Sequence, residues 1–207
     1  MIKVERLRVG QLDANCYLVY HKTSRTCLII DPGDSADYIT QKIIDLDLKP
    51  KAVLATHGHF DHVLAVSELK LNFDIPFKMS EADEFLLSRM RDSSSYFTNI
   101  DPLLTPAIDE FLVPNKSVNI GNLKFKVIDS KGHTPGSVSL YFKDDDILFV
   151  GDLVFEGGAV GRVDFKYASK SNLIGSIKRI CELLEETVVY SGHGEATTIA
   201  SIKQYFT

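Results

Sequence analysis

The 207-residue sequence predicts an α/β fold (α+β in some schemes), with two mixed β-sheets packed face to face and helices on the outside. Three observations predict it. Short strand-like apolar runs occur in both halves of the chain, helical stripes follow strands in each half, and no internal repeat or low-complexity tract interrupts them. The length is that of one ordinary domain, so we expect residues 1–207 to form a single domain.

In the first half, the strands are short and apolar, and the third ends at the turn-forming Asp31-Pro32-Gly33. The helices carry apolar residues at the spacing of one buried face, and Ser35 is a candidate cap for the first of them. The predicted elements are, in chain order, strands 2–9, 16–20 and 27–30, a helix over 35–46, a strand over 51–56, and helices over 63–69 and 81–90.

The second half is predicted to return to strands before it ends in helices. A hairpin turn is expected at Lys143-Asp144-Asp145-Asp146, between two alternating apolar runs. The predicted elements are strands 123–128, 138–142 and 147–150, a glycine-rich loop over 157–162, a helix over 173–184, a strand over 188–190 and a helix over 198–206.

Residues 92–106 between the two halves are polar, with three consecutive serines and two prolines, and predict a loop. Tyr96 and Phe97 make this segment a candidate hydrophobic lid over a substrate. The alternatives are an insertion packed on the surface or a contact at a dimer interface. The sequence therefore leaves a homodimer open.

Charge and composition argue against several partners and compartments. The chain has 23 Lys and Arg against 28 Asp and Glu, so it lacks the basic field that attracts nucleic acid, and we expect neither nucleic acid nor a membrane as a partner. The first residues do not resemble a signal peptide. Three cysteines without a C-x-x-C pair do not predict a disulfide framework. We expect a cytoplasmic protein with reduced thiols.

The histidines are the strongest functional feature of the sequence. Three of the six, His57, His59 and His62, lie within six residues, and two more, His133 and His193, each follow a predicted strand and a glycine. In an extended segment, residues two apart point to the same side, so His57 and His59 can face one metal ion. Imidazole and carboxylate groups are ligands that suit Zn²⁺ and Fe²⁺. The pattern therefore predicts a metal site.

These residues resemble the signature of the metallo-β-lactamase superfamily, T-H-x-H-x-D-H, in the run Thr56-His57-Gly58-His59-Phe60-Asp61-His62. Further matches follow in the expected order over nearly the whole chain. They are Asp31-Pro32-Gly33, Gly132-His133-Thr134-Pro135-Gly136-Ser137, Gly151-Asp152 and Ser191-Gly192-His193-Gly194.

The resemblance implies a four-layer αβ/βα sandwich and a centre with two divalent metal ions, zinc before iron or manganese. It implies His57, His59 and His133 as ligands of the first ion and Asp61, His62 and His193 as ligands of the second. Asp152 is expected to bridge the two ions. Asp31 is expected just outside the ligands, hydrogen-bonded to them or to the turn around them.

Within the superfamily, the Gly132–Ser137 stretch and Gly161-Arg162-Val163-Asp164-Phe165 are most similar to glyoxalase II and its short, hydroxyacylglutathione hydrolase-like relatives. Asp152 disfavours the true zinc β-lactamases, most of which carry cysteine there. Only 14 residues follow His193, so we expect no C-terminal glutathione-binding helical domain.

The implied activity is hydrolysis of a thioester, such as a hydroxyacylglutathione, by a metal-activated hydroxide. Asp61 is the candidate catalytic residue, which orients the hydroxide and takes up its proton. Arg162 is a candidate for binding a carboxylate of this small-molecule substrate.

Three other functions remain open. The set His57, His133 and Asp152, supported by His59, also suits a mononuclear-iron persulfide dioxygenase. The same scaffold also hydrolyses other esters and lactones. A non-catalytic module with a relict site is the third alternative, but none of the implied ligands is missing.

Overall fold

The computed structural model describes residues 1–102 and 104–206, and these residues form two six-stranded sheets. In the first sheet, the leading strands are antiparallel and the remaining strands pair in parallel. Its strands, in spatial and chain order, are β1 (Ile2–Val9), β2 (Ala14–His21), β3 (Thr26–Ile30), β4 (Lys49–Leu54), β5 (Phe77–Met79) and β6 (Glu110–Phe111).

The second sheet is antiparallel except for one central parallel pair. Its strands are β7 (Ser117–Ile120), β8 (Leu123–Asp129), β9 (Val138–Phe142), β10 (Ile147–Gly151), β11 (Val188–Ser191) and β12 (Thr197–Thr198), and β10 and β11 are the parallel pair. The helices are α1 (Ala36–Asp45), α2 (Phe60–Val63), α3 (Val66–Phe73), α4 (Glu84–Leu87), α5 (Met90–Thr98), α6 (Lys170–Ile180) and α7 (Ile199–Phe206).

The core lies in three apolar layers, which makes the molecule a four-layer sandwich. Successive residues of a strand face opposite sides of the sheet. On β2, Tyr17 and Val19 therefore pack between the sheets against residues such as Phe149, whereas Cys16 and Leu18 pack under the helices of the first half. The third layer lies under α6 and α7. The predicted fold class is confirmed, and burial on both faces explains why the strands are almost wholly apolar.

The segment over 92–106 differs from the predicted loop, because its first part is helical: α5 extends to Thr98. Met90, Ser94 and Thr98, spaced one turn apart, are buried on one face of α5. The Thr98 hydroxyl donates a hydrogen bond to the Ser94 carbonyl (2.7 Å). The buried face of α5 thus includes the small polar residues Ser94 and Thr98, which are hydrogen-bonded to each other, where an amphipathic helix would usually bury apolar side chains. Leu103, within the predicted loop, lies outside the described residues.

Several other predictions needed correction. The helix predicted over 63–69 is divided between α2 and α3, and the Ser35 side chain, the candidate cap, makes no cap hydrogen bond to α1. The helix predicted over 81–90 is a 3-10 turn over Glu81–Asp83 followed by the short α4, and the helix predicted over 173–184 ends at Ile180. Among residues 1–102 and 104–206, no helix has both the length and the apolar character that a membrane crossing requires.

Candidate metal centre

The sequence-predicted ligands meet at one edge of the sandwich, in the loops that follow the strands. His57, His59, Asp61 and His62 come from the segment between β4 and the end of α2. His133, Asp152 and His193 follow β8, β10 and β11 in the second sheet. The two sheets meet here directly, since Asn15 on β2 donates its backbone N–H to the Gly192 carbonyl (2.7 Å).

The first group of ligands is His57, His59 and His133, whose ring nitrogens lie within 4.8 Å of one another. His59 Nδ1 and His133 Nε2 are 2.9 Å apart. His57 is fully buried, and its Nε2 atom has no hydrogen-bond partner among the described residues. Three imidazole nitrogens therefore converge on one point.

The second group is Asp61, His62 and His193. Asp61 Oδ2 lies 3.4 Å from His193 Nε2 and 3.7 Å from His62 Nε2. The buried His62 Nε2, like that of His57, finds no hydrogen-bond partner within the described part of the chain. One carboxylate and two imidazoles thus surround a second point.

Asp152 lies between the two groups. Its Oδ1 is 3.6 Å from His62 Nε2, and its Oδ2 is 3.6 Å from His133 Nε2 and 3.8 Å from His193 Nε2. Its buried Oδ1 is a third polar atom that no hydrogen bond from residues 1–102 or 104–206 satisfies. Buried polar atoms are rarely left unpaired in proteins. Three such atoms aimed at one place fit a pair of divalent cations.

Asp31 and Thr56 hold the ligands from behind. Asp31 accepts hydrogen bonds from the Thr56 backbone N–H and from the Thr56 hydroxyl, both at 2.7 Å, and its Oδ2 lies 3.3 Å from His62 Nδ1. Thr56 Oγ1 is in turn 3.1 Å from His57 Nδ1. The outer nitrogens of both histidines are therefore engaged, which leaves each Nε2 free for a metal.

Close backbone packing also shapes the centre. A Cβ atom on Gly192 would overlap the Asp152 carboxylate and approach the His62 ring. Gly151 has a positive φ of 55°, and a Cβ atom there would overlap the Thr56 hydroxyl. Glycine is required at both positions because a side chain would occupy the space of a ligand or its support.

Asp83 is a site residue that sequence reasoning missed. Its carboxylate is fully buried and accepts hydrogen bonds from the Gly58 N–H (2.9 Å), the Gly136 N–H (2.6 Å) and the Thr134 hydroxyl (2.6 Å). It thereby joins the turn that carries His57 and His59 to the loop that carries His133. No pattern in the acidic run Glu81-Ala82-Asp83-Glu84 distinguishes this carboxylate from its exposed neighbours.

The charges of the centre are strongly coupled. Burial, together with the His133 imidazole, lowers the pKa of His59 to about 3. Burial disfavours the charged form of His62, but the carboxylates of Asp61 and Asp152 outweigh it and raise the pKa of His62 to about 10. Burial likewise opposes ionisation of Asp61, yet His62 and His193 hold its pKa below the usual range. The carboxylates around His62 therefore favour its protonated form when no metal is bound.

A cleft of about 610 Å³ opens over the ligands. Its wall is mainly apolar and aromatic, with Phe60, Phe97, Phe155, Phe165 and Tyr167 among its residues. The Tyr167 hydroxyl lies 2.8 Å from His59 Nε2. The volume is within the range of small-molecule sites.

The predicted Arg162 also lines this cleft. Its backbone carbonyl lies 2.8 Å from His133 Nδ1, and its guanidinium binds both oxygens of Asp164 (3.0 and 2.7 Å). The structure thus places Arg162 at the site with its charge paired to a neighbouring carboxylate.

Comparison with known proteins places these features in a family. The family model described as "Metallo-beta-lactamase superfamily" matches residues 9–193. "Probable metallo-hydrolase YqgX" of Bacillus subtilis is 36% identical over 200 residues, covering 96% of this chain and 93% of its own. "Hydroxyacylglutathione hydrolase GloC" of Haemophilus influenzae is 32% identical over 212 residues, covering 98% of this chain and 96% of its own.

Two solved structures agree along the whole chain. "BLEG-1 B3 metallo-beta-lactamase" superposes with a TM-score of 0.90 at 33% identity, covering 99% of this chain and 97% of its own. "TTHA1623 in a di-iron-bound form" superposes with a TM-score of 0.87 at 32% identity, covering 98% of each chain.

Proposed function

The chain belongs to the metallo-beta-lactamase superfamily, and from that premise we propose that it is a metal-dependent hydrolase of thioesters of the hydroxyacylglutathione type. The observation that carries the proposal is the pair of ligand groups with Asp152 between them. We propose two zinc ions, held by His57, His59 and His133 and by Asp61, His62 and His193. Iron is the alternative, because the similar TTHA1623 has been solved in a di-iron-bound form.

When bound, divalent ions in such a centre lower the pKa of a coordinated water and polarise a carbonyl group. The chain's own residues orient the attacking water and exclude bulk solvent. Asp61 reaches the cleft beside His193, where its carboxylate can orient the attacking water and accept its proton. The apolar wall shields the reacting carbonyl from bulk water.

The leaving group is the reason to prefer a thioester. A thiolate leaves without protonation, since a free thiol has a pKa near roughly 8.5. Burial raises the pKa of Tyr167 to about 12, and its hydroxyl already contacts His59, so it is a poor general acid. Among the described cleft residues outside the two ligand groups, the Tyr167 hydroxyl is therefore a weak acid, which suits a substrate whose leaving group needs no proton. The relative named hydroxyacylglutathione hydrolase supports the same choice.

The experiment measures metal content and turnover on the same sample. The protein is purified without added metal, analysed for zinc, iron and manganese, and assayed with S-lactoylglutathione, an uncharged thioester, a lactone and a β-lactam. We expect about two metal ions per chain, as the two ligand groups imply, and thioester hydrolysis. Asp152→Ala should lose both metal and activity, whereas Asp144→Asn, the same loss of charge in an exposed turn, should lose neither.

Three results would overturn the proposal. Full metal content with hydrolysis of only the lactone or the β-lactam would assign a different substrate class. One iron per chain with oxygen consumption on a persulfide would assign an oxygenase. Metal and thioester hydrolysis that survive in Asp152→Ala would show that the centre lies elsewhere.

A further inference from the structure

A row of aromatic rings with an arginine at each end, here called the ladder, runs along one side of the cleft. Arg162, Phe165, Tyr167 and Arg89 line the cleft, and Phe85 connects Tyr167 to Arg89 without lining it. The Arg162 guanidinium lies 4.6 Å from the Phe165 ring centre, and Phe165 stacks on Tyr167 with ring centres 5.2 Å apart. Tyr167 meets Phe85 edge to face at 5.3 Å, and the Arg89 guanidinium lies 5.5 Å from the Phe85 ring centre. Because Tyr167 also contacts His59, the ladder runs past the metal ligands.

The two arginines differ in charge pairing. Arg162 is neutralised by its two hydrogen bonds to Asp164. The guanidinium of Arg89 has no carboxylate within 4.0 Å among residues 1–102 and 104–206, and its contact in the ladder is with the face of a ring. The ladder therefore presents one unneutralised cation to the cleft, at the Arg89 end.

Arg89 directly precedes helix α5, which places the cation beside a second apolar surface. Arg89, Ser93 and Phe97 follow one another at four-residue spacing, and all three line the cleft. Phe97 stacks on Phe60 with ring centres 5.9 Å apart. A molecule between α5 and the ladder would thus have apolar rings on two sides and a guanidinium at one end.

We propose that Arg89 binds a carboxylate of the substrate and that the cleft therefore prefers thioesters with an anionic arm to neutral ones. Guanidinium binds carboxylate through paired, charge-assisted hydrogen bonds. Stacking on Phe85 restrains the Arg89 side chain, so less rotamer freedom is lost on binding. This inference rests on the proposed hydrolase function, but the assignment of Arg89 is tested by binding alone.

The test uses inert thioethers, in which a methylene replaces the thioester carbonyl. Two matched pairs are prepared, each with a carboxylate and its neutral carboxamide. One pair carries this group on the thiol-derived arm and the other on the acyl-derived arm. Their affinities for the zinc-loaded protein are measured by calorimetry for the wild type, Arg89→Gln, Arg162→Gln and Arg91→Gln. Arg91 is the matched control, because it lies two residues away on α5, exposed and paired with Asp101.

We expect one of the two carboxylates to bind about two- to fivefold more tightly than its carboxamide, the effect of one exposed charge-assisted pair. The preferred arm identifies where the substrate carries its charge. The preference should vanish in Arg89→Gln, where carboxamide affinity stays unchanged, and should persist in Arg91→Gln. Added salt should weaken it.

Several results would overturn the assignment. Equal affinity of both members in both pairs would show that the cleft does not select an anion. A preference lost only in Arg162→Gln would assign the carboxylate to Arg162. A preference that survives in both Arg89→Gln and Arg162→Gln would show that neither arginine binds it and would point to the metal ions. If the carboxylate preference depends on Arg89 but the protein hydrolyses no thioester, the proposed hydrolase function is refuted and the assignment of Arg89 as an anion site is retained.

Discussion

Replacing Asp83 by asparagine should loosen the join between the two loops that carry the first ligand group. Asp83 Oδ1 accepts the Gly136 N–H, and Oδ2 accepts both the Gly58 N–H and the Thr134 hydroxyl. Asparagine has a single acceptor oxygen and an amide NH₂. In either orientation, the NH₂ group faces a backbone N–H, so at least one buried donor loses its acceptor.

The size of the effect follows from these contacts. A buried donor without an acceptor costs about 1–3 kcal/mol, and weakening of the other charge-assisted bonds adds to this. Burial raises the pKa of Asp83 even though three donors oppose it, so the neutral variant recovers part of the desolvation cost. We therefore expect a loss of about 2 kcal/mol, which lowers the melting temperature by roughly 4–8 °C for a chain of this length.

The assay compares Asp83→Asn with Glu84→Gln, the same loss of charge at the exposed neighbouring carboxylate. Thermal unfolding is followed with and without zinc, and zinc affinity is measured by competition with a chelator. We expect zinc affinity to fall about 10- to 100-fold in Asp83→Asn, as for other groups that orient ligands, and to be unchanged in Glu84→Gln.

Two results would refute this reasoning. Wild-type melting and zinc affinity in Asp83→Asn would mean that the three hydrogen bonds do not hold the loops. A lower melting temperature with unchanged zinc affinity would limit Asp83 to a role in folding.

Two further predictions concern the same ligands. Because the pKa of His62 is raised to about 10, we expect metal-free protein at pH 8 to keep a proton there, which zinc must displace. A zinc-bound water loses a further proton at this pH, so zinc binding should release about two protons per chain, detectable with a pH indicator, and release of one or none would contradict the protonated state of His62. Tyr167→Phe keeps the ring contacts but removes the hydroxyl that contacts His59 Nε2. Zinc affinity should therefore fall about tenfold, while the thermal stability of the metal-free protein stays unchanged. Zinc affinity equal to that of the wild type would show that the hydroxyl does not position His59.

The residues that the structure brings together as candidate ligands could be predicted from the sequence because their pattern is local. His57, His59, Asp61 and His62 lie in one short run, and glycine precedes both His133 and His193. The central strands could be identified for a related reason, since strands buried on both faces, such as β3, are almost wholly apolar.

The remaining features depend on contacts that no local pattern encodes. Asp83 acts on Gly58 and Gly136, which are 25 and 53 residues away. Strands β6 and β12 have two residues each, so only pairing with a neighbouring strand defines them. Helix α5 buries Ser94 and Thr98, whose polar side chains predicted a loop. In each case, tertiary packing overrides the local preference.

The candidate ligands follow strands of both sheets, so a metal ion bound to them would also connect one sheet to the other. An ion held by His59 and His133 ties together positions 74 residues apart. Because the ligands meet only in the folded chain, a metal ion at about 1,000 times its Kd would stabilise the fold by about 4 kcal/mol. Metal supply would then govern the lifetime of the protein in the cell. Chains starved of metal would open more often between the sheets and would be degraded sooner by proteases than loaded ones.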